Sequence, residues 1–123
     1  MASGTFERPL PDLADEKALL ELSGIKAMQY TQSASTTRNL VFPSESKSGL
    51  LILASGNSLK HGLYIFGETT SGDIRLTAIV APTQSGLSVS ASSHTITIVN
   101  GSAGLYVTVL AFLGALPSVV TPT

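Results

Sequence analysis

The sequence predicts an all-β fold: an antiparallel β-sandwich of about eight strands, jelly-roll-like in path, preceded by a short N-terminal helix. Three observations carry this. From Ile25 onward, short apolar or alternating runs are separated by clusters of Ser, Thr, Asn and Gly, the punctuation of strands and turns. No interval of about 10 to 15 residues in that portion carries a helical period, which disfavours parallel βαβ construction. The 123 residues suit one domain with a core of its own.

Residues 1–24 read as an N-terminal arm and helix. Over 11–24, Asp12 can cap, Asp15 and Glu16 favour the positive end, and Gly24 can close the helix. Leu13 and Leu20 lie seven apart with charges between, so no coiled-coil seam is defined. Residues 25–117 form the sandwich, with strands expected at 25–31, 38–42, 50–54, 62–67, 74–80, 87–91, 94–99 and 105–113. Hairpins are expected across 82–86 and 100–104, and 118–123 is read as a C-terminal tail. Asn100-Gly-Ser also fits an N-glycosylation acceptor, but a tight turn is the simpler reading.

Charge is unevenly distributed. Of seven Lys and Arg and eight Asp and Glu, eight lie in the first 26 positions and none follows Arg75. Surfaces of dispersed monomers mix both signs of charge, so the 48 residues after Arg75 either sit inside or face another subunit. Ser and Thr, about a quarter of the chain, supply polarity without charge. The near-zero net charge and absence of a basic patch exclude nucleic acid as a natural partner. The opening residues lack the basic-then-apolar order of a secretory signal, and no apolar run reaches the roughly 18 residues of a spanning helix. Cytoplasmic synthesis without membrane insertion is the expectation.

The catalytic palette is thin. There are no cysteines, two histidines, and in the β region the carboxylates Glu45, Glu68 and Asp73. No Gly-x-Ser-x-Gly elbow or His-Glu-x-x-His spacing is present. No catalytic residue, metal or cofactor is expected, and a small polysaccharide hydrolase is the least favoured class, because paired carboxylates are needed. The candidate ligand contacts are His61, Tyr64, Glu68, Asp73 and Arg75, polar or aromatic groups on and around the 62–80 hairpin.

The strand at Leu105–Leu113 is apolar on both faces: Leu105, Val107, Val109, Ala111 and Leu113 on one, Tyr106, Thr108, Leu110 and Phe112 on the other. A half-exposed strand alternates with polar residues, so the second face is expected to meet another subunit. Tyr106, Val107, Val109, Phe112 and Leu113 are the candidate interface residues.

The stretch Gly62-Leu-Tyr-Ile-Phe and its following hairpin resembles a strand of the trimeric jelly-roll heads in the complement and tumour necrosis factor group. The acidic lead, the Ser/Thr-rich cysteine-free β domain and the ending from Thr95 to Phe112 resemble head domains of bacteriophage tail fibres and receptor-binding proteins. That resemblance implies a non-enzymatic homotrimer displayed on a virion and recognising a bacterial surface glycan or protein. The alternative is a purely structural virion component, a capsid decoration or tail protein, with other virion proteins as partners.

Overall fold

Each run between turn clusters becomes a strand because period-two alternation lets one face bury apolar side chains while every backbone polar group is paired in a ladder. The computed structural model describes residues 24–44 and 47–122; the helix expected before residue 24 lies outside the described residues. The strands are β1 (Lys26–Gln32), β2 (Thr36–Val41), β3 (Ser48–Ala54), β4 (Gly62–Glu68), β5 (Ile74–Val80), β6 (Ser88–Ser92), β7 (Thr95–Asn100), β8 (Leu105–Leu113) and β9 (Ser118–Val120). A 3-10 turn, Ser58–Lys60, precedes β4.

The strands form two antiparallel sheets, a five-stranded one ordered β1-β8-β3-β4-β5 and a four-stranded one ordered β6-β7-β2-β9. The all-β sandwich is therefore the architecture. The chain wraps around it, with β1 paired to β8 and β2 to β7, while β3, β4 and β5 meander within one sheet.

Two local expectations change. The segments 82–86 and 100–104 do not close hairpins, because β5 and β6, and likewise β7 and β8, lie in different sheets. The same Gly-, Asn- and Ser-rich chemistry that turns a hairpin also lets a chain cross between sheets. The residues set apart as a tail include β9, which pairs with β2 through Leu40 opposite Val119.

Between the sheets lies one core. From the five-stranded sheet come Leu51 and Leu53 of β3, Tyr64 and Phe66 of β4, and Leu105, Val107 and Val109 of β8; Leu40, Ile96 and Ile98 meet them from the other. Phe42, just beyond β2, reaches across to Phe66 with ring centroids 5.2 Å apart, within the range where tilted aromatic pairs attract. Gly49 of β3 sits where a Cβ would collide with the Leu110 carbonyl and the Phe66 ring, next to a register shift between β3 and β8. That close approach is what requires glycine there.

Candidate functional site

The two outer faces of the sandwich differ in kind. On the four-stranded sheet, register aligns Ser90, Thr97 and Asn39 across β6, β7 and β2, and Thr97 Oγ1 donates to Asn39 Oδ1 at 2.9 Å. Ser88 and Ser92 continue this hydroxyl-bearing surface. On the five-stranded sheet, register sets Ala27, Leu110, Leu50 and Ile65 in one row across β1, β8, β3 and β4. The adjacent row runs Thr108, Ile52, Leu63 and Val80. Ile65, Val80 and Phe112 are each close to half exposed, at 48%, 48% and 46%, and no charged side chain interrupts either row.

This geometry sorts the candidate interface residues. Tyr106 and Phe112 point outward with Leu110, and Leu113 is exposed at the strand end. Val107 and Val109 do not join them: they are 0% and 1% exposed and fill the interior between the sheets. Both faces of β8 are apolar, and the four-stranded sheet covers the Val107 side. Sequence reasoning missed Leu50, Ile52, Leu63 and Ile65. The signal was present, since 50–53 and 63–66 are apolar on both faces just as β8 is, and antiparallel pairing places the three strands side by side.

The candidate ligand residues separate into three places. Glu68 ends β4, while Asp73 and Arg75 flank the start of β5, so these three share one end of the sandwich. Thr69 organises the turn between them: its N–H donates to the Asp73 carbonyl at 2.8 Å and its Oγ1 accepts from Asp73 N–H at 3.2 Å. The Glu68 carboxylate pairs with Lys47 Nζ at 3.5 Å, and the Lys47 side chain is almost wholly buried. Lys47, Glu68, Thr69 and Leu113 border a shallow cleft of about 450 Å3. Behind the turn, His94 lies 3.6 Å from the space a Cβ on Gly72 would fill, and its Nδ1 is buried with no hydrogen-bond partner.

Tyr64 is not at a surface. It is 8% exposed in the core, and burial pushes its hydroxyl pKa above the ordinary tyrosine value. His61 lies at the opposite end from Glu68, separated from it by the length of β4, with Nε2 3.1 Å from the Ser55 carbonyl.

The His61 end contains an unforeseen construction. Lys60 is 0% exposed, and its Nζ donates to Asn100 Oδ1 at 3.0 Å and to the Ala103 carbonyl at 3.1 Å. Asn100 Nδ2 contacts the carbonyls of Gln32 at 3.2 Å, Ser33 at 3.1 Å and Ala103 at 2.7 Å. This buried amide is a hub joining two inter-sheet crossings, not an accessible glycosylation acceptor. Gln32 Nε2 adds bonds to the carbonyls of Thr36 and Ile98, and its Oε1 accepts from Tyr30 Oη at 2.9 Å. Burial pushes the Tyr30 hydroxyl up to about 12 against the opposing pull of the Arg38 charge. Beside this network opens a second cleft, of about 430 Å3, between the 55–57 and 103–104 loops, with Tyr106 on its wall.

Compared with family models, with curated proteins and with solved structures, the chain matches none.

Proposed function

We infer that the protein is a non-enzymatic, self-associating β-sandwich, the head of a virion-type particle in which copies join through the outer face of the five-stranded sheet. The observation that carries this reading is the contrast between the uncharged apolar rows at the centre of that face, with Arg75 at its margin, and the mixed Ser, Thr, Asn and Val face opposite. Contiguous apolar patches beyond a few hundred Å2 mark association surfaces. Five strands about 4.8 Å apart and seven residues of about 3.3 Å each give roughly 500 Å2 of sheet face. Three such faces closed around one axis bury about 1,500 Å2 in total. The nested pairing of β1 with β8 and β2 with β7 supports the jelly-roll-like description, and with the resemblance to tail-fibre heads it makes the homotrimer the favoured assembly. Glu68 is paired with a lysine and not with a second carboxylate, which weighs against polysaccharide hydrolysis at that cleft. Recognition of a host surface component would take place at the loop ends.

Sedimentation equilibrium over a wide concentration range tests the assembly. The expected mass is three times the 12.7 kDa of the chain; a monomer at every concentration overturns the reading.

A further inference from the structure

We propose that the cleft beside Tyr106 binds a neutral pyranose ring, the end of a glycan. This rests on the recognition part of the reading above and names the site and ligand class for it, at the end of the sandwich away from Glu68, Asp73 and Arg75. Both walls are held rigidly. Ala103 has φ 59°, in the left-handed region that side-chain-bearing residues rarely occupy and that marks constrained sites. The buried Lys60 ammonium and the buried Asn100 amide both grip its carbonyl, at 3.1 and 2.7 Å. Burying an ammonium against an amide and a carbonyl is unfavourable, and here it fixes the shape of one surface loop. Opposite, Asn57 Nδ2 donates to Gln84 Oε1 at 2.8 Å, Asn57 Oδ1 accepts from Leu59 N–H at 3.0 Å, and Ser55 Oγ bridges to the Asn57 backbone.

The cleft between these walls carries no charged side chain at its surface, so an ionic ligand finds no counter-charge. Tyr106 offers a half-exposed ring, with Thr31 opposite it in register. An aromatic face flanked by a hydroxyl and backbone groups suits a ring that has an apolar C–H face and a rim of hydroxyls.

The test uses the full chain, labelled with 15N, titrated with the methyl glycosides of glucose, galactose, mannose and N-acetylglucosamine. At least one glycoside should shift the amides of residues 55–57 and 103–106 saturably. Gly56 and Gly104 border the cleft, and a Cβ on either meets nothing within 4 Å. Gly104→Leu, and independently Gly56→Leu, should therefore weaken binding about tenfold or more by filling the cleft, with assembly mass and melting temperature unchanged. Tyr106→Phe should retain binding and Tyr106→Ala should lose it. Absence of saturable shifts with every glycoside, shifts located elsewhere, or undiminished binding in both glycine variants overturns the proposal. A monomeric wild type with intact glycoside shifts would overturn the assembly reading and leave this one standing.

Discussion

Replacing Ile65 by lysine separates an assembly face from a mere apolar surface. Ile65 stands on the outward row beside Leu50 and is 48% exposed. Full burial of an isoleucine side chain contributes about 1.5–3 kcal/mol, so covering the exposed half contributes roughly 1 kcal/mol per copy. An ammonium brought into the same contact adds a desolvation cost of about 2 kcal/mol even after partial escape to the rim. The loss of roughly 3 kcal/mol per contact weakens association more than about a hundredfold at 1.4 kcal/mol per decade. Within the single chain the outward half of Ile65 supports nothing, so the melting temperature should barely move, as for surface substitutions generally. Sedimentation velocity of wild type, Ile65→Lys and Phe112→Glu at matched concentration reads the outcome, with Ser90→Lys on the hydroxyl-bearing face as control. Wild-type mass in Ile65→Lys, or an equal fall in Ser90→Lys, refutes the reasoning.

Three further outcomes follow from the interior. Gly49→Ala drives a methyl group into the Leu110 carbonyl and Phe66 ring and should destabilise the domain by about 3 kcal/mol, measured by urea unfolding. Asn100→Leu removes one acceptor of the buried Lys60 ammonium and the tie between two loops; a loss of about 3 kcal/mol is expected, with hydrogen exchange accelerating first at 101–104. Tyr30 ionises at about 12 in the fold, chiefly because burial disfavours its phenolate. The unfolded chain therefore releases this proton first as pH rises through about 10, and stability falls between there and about 12. Screening at the partly exposed ring limits the loss to about 1 kcal/mol. Urea midpoints at pH 8 and near pH 11 should differ less in Tyr30→Phe than in wild type.

The strands were legible because period two leaves a direct imprint: each of the eight expected runs overlaps an observed strand. Only β9 escaped, since Ser118–Val120 is three residues long and flanked by prolines, too short to display alternation. The core side of a strand was not legible where both faces are apolar. In β8 the choice between Val107 and Leu110 is made by the sheet that covers them, and that sheet is built from residues distant in sequence. Tyr64, a candidate ligand contact on a strand apolar on both faces, falls under the same rule: register with Leu51 and Ala78 fixes it inward. Lys60 was illegible in a stronger sense. A lone lysine after Asn-Ser-Leu reads as exposed turn, and only the crossing from β7 to β8 brings Asn100 and Ala103 onto it.

The uncharged C-terminal half joins the two proposals. Ser88, Ser90, Ser92, Thr95 and Thr97 lie on the outer face of the four-stranded sheet, while the apolar rows lie on the other, so the average composition conceals two different surfaces. Tyr106 stands between Thr31 and Ala54, one row beyond Ile52 and Leu63, where the apolar face gives way to the cleft. Copies joined through Leu50, Ile65 and Leu110 would therefore carry their clefts at the margin of the contact, outside the buried rows. A single shallow cleft of neutral character binds a sugar weakly, and several held at fixed spacing raise the effective concentration for a repeating glycan. Ile65→Lys should consequently leave the glycoside shifts of each chain intact while abolishing retention on a multivalent glycan surface, whereas Gly104→Leu should abolish both.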